Sequence, residues 1–135
     1  WGGRDVANEL SVTMRAAFVK SPLPSKTVGS STAFTVTVAG DDYKDNIQII
    51  SSTNAAAPEA LDFGDIGTPG WCYLENLDAA ITIFVQPKTG AGTVDNLIEL
   101  RFGEKALFRI YNNNKTMAAY AASGTPQLRV VVFED

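Results

Sequence analysis

Histidine is absent from all 135 residues. That removes Ser-His-Asp and Cys-His nucleophilic pairs, imidazole metal ligands and the commonest general base at neutral pH. Cysteine occurs once, as Cys72. A single thiol excludes an internal disulfide framework and any Cys-x-x-Cys zinc pattern, and it reads as a small buried hydrophobe. No apolar run approaches the roughly 20 residues that cross a bilayer, and no charged-then-apolar leader is visible, so the chain reads as soluble with no membrane partner. Trp1 is not an initiator, so this end is read as processed, trimmed or engineered. Positive charge is also scarce: 11 Lys and Arg stand against 15 Asp and Glu, a formal net charge of −4. The basic residues are scattered, which argues against a nucleic-acid partner, because phosphate binding draws on clustered Lys and Arg.

What remains is an ordinary globular composition, 45% hydrophobic and 19% charged. The length fits one domain, residues 1–135, able to bury roughly 68–70% of the surface its unfolded chain exposes. Apolar residues recur at every second position. In "ELSVTMRAAF" Leu10, Val12, Met14, Ala16 and Phe18 share one parity; in "TAFTVTV" Phe34, Val36 and Val38 do so against Thr35 and Thr37. Such alternation predicts half-buried strands. The β-branched and aromatic runs "NIQIISS", "GWCYLENL", "AITIFVQ", "NLIELRF", "KALFRIY" and "QLRVVVFED" continue it. Eight to ten strands are expected, in an all-β antiparallel arrangement.

Between these runs lie short breakers, among them "AGDD", "AAAPEA", "GTPG", "KTGAG", "FGE", "NNN" and "SGTP". Their regular spacing points to a sandwich or a barrel. "TMAAYAAS" and "VDNLIEL" are the best helical candidates, the first too short to hold a helix alone. Pro22 and Pro24 lack amide donors, so residues 20–32 are expected as an exposed loop or arm. Such an arm, like an extended N-terminal arm over residues 1–8, is the kind of segment that lies across a neighbouring subunit.

Candidate chemistry is sparse. Asp62 with Asp65, or Glu99 with Glu104, could form the carboxylate pair of a glycosidase. Strand alternation opposes the first pair, and "GDIG" reads more easily as a bend. "AGDDYKDN" concentrates Asp41, Asp42, Asp45 and Asn46, oxygen ligands of the type calcium takes, but without the EF-hand order; turns use the same residues to bond their own backbone. "KTGAGT" lacks the Gly-Lys-Ser/Thr of a phosphate loop and reads as a hairpin tip. Trp1, Tyr43, Trp71, Tyr73, Tyr111 and Tyr120 could stack on sugar rings, with Trp71 and Tyr73 the ligand-facing candidates. No residue is assigned a catalytic, cofactor or metal role, and the chain reads as non-enzymatic.

The second half of the chain, about residues 59–135, carries a more specific pattern. It has a glycine turn (Gly64, Gly67, Pro69, Gly70), an aromatic strand closing in Asn76, Leu77 and Asp78, a later hairpin (Leu100, Gly103, Glu104, Ala106, Leu107, Phe108, Arg109) and an acidic end at Glu134 and Asp135. In order and spacing this resembles small structural proteins encoded by tailed bacteriophages. The segments "AAITIFVQPKTGAGTVDN" and "NNNKTMAAYAAS" depart from that pattern, and the N-terminal half agrees only in type.

The resemblance implies a β-sandwich of jelly-roll kind and a virion location, on the capsid surface first of all. The implied partners are further copies of the chain, a trimer being one form, and the major capsid protein. Trp1, Arg4 and Val6 and the arm residues Pro22, Leu23 and Pro24 are the candidate subunit contacts. A tail or fibre-associated subunit and a carbohydrate-binding module are the alternatives. In every reading Gly67, Pro69 and Gly70 turn the chain, Trp71 to Leu77 run as a core strand, and Asn76 and Asp78 supply side-chain bonds for the corner.

Overall fold

The computed structural model describes residues 9–40, 42–87, 96–110 and 117–135. These residues contain twelve strands and no helix. They fall into two compact units, Trp1–Ala39 and Gly40–Asp135, with no Gly- or Pro-rich linker at the boundary. The sequence reading treats residues 1–135 as one domain; the sandwich occupies the second unit.

The first unit is a two-part β-ribbon. Strands β1 (Glu9–Val12) and β2 (Arg15–Phe18) form one arm, β3 (Lys26–Gly29) and β4 (Phe34–Thr37) the other. β2 pairs antiparallel with β3, and β1 with β4. Two residues, 13–14, separate the strands of the first arm, and four, 30–33, those of the second, so the excess must bulge. Gly29 makes this possible: it sits at φ +84°, and a Cβ there would lie 2.2 Å from the Met14 carbonyl oxygen. The Ser30 amide then donates to that same carbonyl at 3.0 Å.

Two expectations change here. "ELSVTMRAAF" is broken into two strands, and residues 26–29, expected within a loop or arm, pair as β3. Pro22 and Pro24 do lie in the exposed 19–25 turn, where the Ser21–Pro22 bond is cis and the Leu23 amide donates to the Lys20 carbonyl at 2.8 Å. The alternation also holds: Leu10 faces Val36, Val12 faces Phe34 and Ala16 faces Val28 on the apolar side, while Ser11 faces Thr35 and Ala17 faces Thr27 on the other. Burial does not follow it. Val12 and Val38 are buried, but Met14, Phe18, Val28 and Phe34 are exposed. Periodicity records which residues share a face, and a two-stranded ribbon has no second layer of its own to cover that face.

The second unit is an antiparallel sandwich of eight strands: β5 (Tyr43–Ile49), β6 (Glu59–Ala60), β7 (Pro69–Asn76), β8 (Ile83–Pro87), β9 (Ile98–Leu100), β10 (Lys105–Arg109), β11 (Met117–Ala121) and β12 (Gln127–Glu134). One sheet has the order β10-β7-β12-β5, the other β6-β11-β8-β9. Pairing is nested along the chain, β5 with β12, β6 with β11, β7 with β10 and β8 with β9. The alanine-rich helical candidate is therefore a strand, and all five residues of β11 are buried.

Strand alternation builds the core. On β7 Cys72, Leu74 and Asn76 point inward and are fully buried, while Trp71, Tyr73 and Glu75 lie on the outer face. Leu128, Val130 and Val132 of β12 share the inner face, and Ile83, Val85, Leu100, Met117, Ala119 and Ala121 meet them from the other sheet. Each buried Leu, Ile or Val contributes about 1.5–3 kcal/mol relative to exposure. Ile50, Leu61, Phe63, Ile66 and Ile110 close the layer from the connections.

Candidate functional surface

Pro69 and Gly70, expected to turn the chain, begin strand β7, and Leu77, expected in the strand, follows its end at Asn76, where a hydrogen-bond hub holds the corner. Asn76 Nδ2 donates to the carbonyls of Ile81 at 2.8 Å and Leu100 at 2.9 Å, and its Oδ1 accepts from the Asp78 amide at 2.9 Å. Asp78 Oδ2 accepts from the amides of Ala80 and Ile81 at 2.9 and 2.8 Å. These amide donors hold its carboxyl below the ordinary value of 3.8. Asn76 and Asp78 thus tie the last turn of one sheet to the entry of the other, as the residue types at this corner predict.

Gly103 and Glu104 stand in a turn bonded to Asn76, and Gly64 in a separate bend. Gly64 has φ +61°, and its amide donates to Asp62 Oδ1 at 2.8 Å. Asp62 therefore closes a bend, as "GDIG" suggests. Glu99 pairs with Arg101 at 3.2 Å, and Glu104 Oε1 accepts from the Arg101 amide at 2.7 Å. These carboxylates bind nearby backbone or charge. Among the described residues no three His, Cys, Asp or Glu side chains lie close enough to hold a metal ion. Asp42 accepts from the Tyr43 amide at 2.8 Å, and Asp45 makes a two-point pair with Arg129 at 3.1 and 2.7 Å, which lowers its carboxyl.

The aromatic candidates are placed unequally. One cross-strand row on the outer face of the β10-β7-β12-β5 sheet reads Tyr43, Phe133, Trp71, Arg109. Tyr43 and Phe133 have ring centroids 6.5 Å apart, and the Arg109 guanidinium lies 5.7 Å from the Trp71 centroid. Arg109 is fixed in turn by Asp135 at 2.8 Å. One side of the Trp71 ring therefore meets a cation, an arrangement worth about 0.5–1 kcal/mol at an exposed site. Tyr73 donates its hydroxyl proton to Glu75 at 2.9 Å; burial, then that carboxylate, pushes the phenol upward. Tyr120 lies on the other sheet, stacked on Phe84 at 5.0 Å and accepting from Asn96 at 2.7 Å. Cys72 faces the core, and burial pushes its thiol up to about 12.

The main feature missed by pattern reading is strand β5. Its sequence "YKDNIQI" suggests Ile47 and Ile49 inward, but the register puts Asn46 beside Val130 and Gln48 beside Leu128, on the core side. Tyr43, Ile47 and Ile49 are consequently 65%, 58% and 54% exposed. The reason is the sandwich edge. Gln48 Nε2 donates to the Ala60 carbonyl at 2.9 Å and to Glu59 at 3.2 Å, its Oε1 accepts from the Asp62 amide at 2.9 Å, and Asn46 reaches the Asp62 carbonyl at 3.4 Å. Amide side chains do here what a paired strand would do, and the two isoleucines are turned outward.

Of the candidate contacts, Leu23 is exposed in the 19–25 turn with Pro22 and Pro24. Trp1, Arg4 and Val6, the N-terminal arm, Asp41, Tyr111 and the "KTGAGT" tip lie outside the described residues. Compared with protein-family models, with curated proteins and with solved structures, the chain matches none of them.

Proposed function

We propose that the chain is a non-enzymatic structural subunit of a tailed-bacteriophage virion, a capsid decoration or auxiliary head protein of jelly-roll kind. The observation that carries the reading is a division of labour. A sandwich with a closed apolar core is joined to a β-ribbon whose apolar side chains Met14, Phe18, Val28 and Phe34 are exposed. Side chains of this kind in the open are the mark of surfaces that meet a partner. Nested pairing of β5 with β12, β6 with β11, β7 with β10 and β8 with β9 supports the jelly-roll reading, since rolling up a ribbon of strand pairs produces that order. The residues that carry the phage resemblance, Asn76, Asp78, Gly103 and Glu104, sit at the corners that hold the sandwich.

The mechanism is multivalent attachment. Each subunit buries a modest interface, and repetition on a symmetric lattice turns weak contacts into avidity. The partners are further copies of the chain and the major capsid protein, through the 19–25 turn and the N-terminal arm. The test is light scattering on a dilution series together with co-sedimentation with assembled capsids. A trimer, or a monomer that pellets with capsids, supports the reading. A monomer indifferent to capsids moves the weight to a tail site or a carbohydrate ligand.

A further inference from the structure

The two units differ in charge as well as in burial. Residues 1–39 hold four basic and two acidic side chains, a formal +2, whereas residues 40–135 hold seven basic and thirteen acidic, a formal −6. From residue 10 to residue 40 the charges are Arg15, Lys20 and Lys26, with no acid among them.

Strand β5 presents the complementary chemistry. Among the described residues it is an edge strand whose one strand neighbour is β12, which leaves a row of its backbone donors and acceptors for a further strand. Its outward face is apolar at Tyr43, Ile47 and Ile49. Asp42 stands just before it, and Asp45, paired with Arg129, lies on it beside Lys44.

We propose that the ribbon of one copy docks on strand β5 of a second copy, extending its β10-β7-β12-β5 sheet. This rests on the reading of the chain as an assembling subunit and names the two surfaces. The ribbon's Phe18, Val28 and Phe34 supply apolar area, its basic residues meet the acidic unit, and a strand of the ribbon takes up the open backbone row of β5. Each surface alone is a liability, the ribbon because two strands without a second layer are marginal in water, β5 because an apolar edge strand recruits strands indiscriminately. Together they satisfy each other. The contact joins two different patches, so it is head-to-tail, and copies add on until a ring or lattice closes.

Two variants at exposed positions test this, Val28→Asp on the ribbon and Ile47→Asp on β5, 53% and 58% exposed in the wild-type chain. Sedimentation equilibrium on full chains, without capsids, gives the association constant, and circular dichroism confirms that each variant is folded. The wild type is expected to self-associate, more weakly at high salt, and each variant alone roughly tenfold or more weakly. An equimolar mixture of the two is expected to recover association as a one-to-one pair, because an intact ribbon then meets an intact β5. Any one of three results overturns the proposal: a monomeric wild type at all concentrations, wild-type association by either variant alone, or a mixture no better than its components. The readout contains no capsid, so failure of the virion placement in co-sedimentation and failure of this contact are separate results.

Discussion

The ribbon and the sandwich are made from the same kind of alternating sequence, yet the sandwich buries most of its alternating apolar residues and the ribbon few. In the sandwich, Leu74 on β7 and Val130 on β12 pair side by side and are fully buried. In the ribbon, Val12 and Phe34 pair in the same way, but only Val12 is buried and Phe34 is exposed. The difference is the second layer. A strand pair becomes a core when another sheet covers it, and its apolar side chains stay exposed when none does.

The largest break in this comparison is expected at Asn76. Asn76→Ala leaves the Ile81 and Leu100 carbonyls and the Asp78 amide without their partner at the sandwich corner, and is expected to lower stability by about 3 kcal/mol or more in urea denaturation. Gln48→Leu comes next. It keeps the volume at the sandwich edge but strips the Ala60 carbonyl and Asp62 amide, at an expected cost of about 1–3 kcal/mol by the same measurement.

A smaller effect concerns pH. The carboxyl of Asp78 is lowered in the folded chain, so its contribution is complete above the ordinary value of 3.8 and is lost as pH falls through the lower folded value. Asp78→Asn is therefore expected to be the less stable protein at neutral pH, with the gap to wild type closing below 3.8, in thermal melts across an acid series. Phe18→Ser on the ribbon should do least. Its side chain is exposed, and the change is expected to fall within about 0.5 kcal/mol of wild type in a melt of the dilute chain. A large loss there would mean that the ribbon's apolar face supports the fold after all.

Much of the sandwich was legible. The strands "GWCYLENL" and "QLRVVVFED" read correctly because β-branched and aromatic runs favour a covered, pleated surface, and the corner read correctly because Asn and Asp side chains bond their own backbone. Strand β5 was not legible: parity groups Ile47 with Ile49 but cannot tell which face is covered, and what turns them outward is the bonding of Gln48 to residues 59–62, eleven or more positions away. "TMAAYAAS" was ambiguous because alanine favours helices in isolation; burial in the centre of a sheet overrode that preference. The break at 13–14 depends on Gly29 across the ribbon, a pairing no single segment reveals.

The solitary Cys72 has a use of its own. It is fully buried between the sheets, and with its thiol near 12 almost no thiolate exists at ordinary pH. A thiol reagent can therefore reach it only when the sandwich opens, so the rate of labelling clocks that opening under native conditions. No competing thiol exists anywhere in the chain. The molecule thus carries a built-in stopwatch, started by the opening of the sandwich alone.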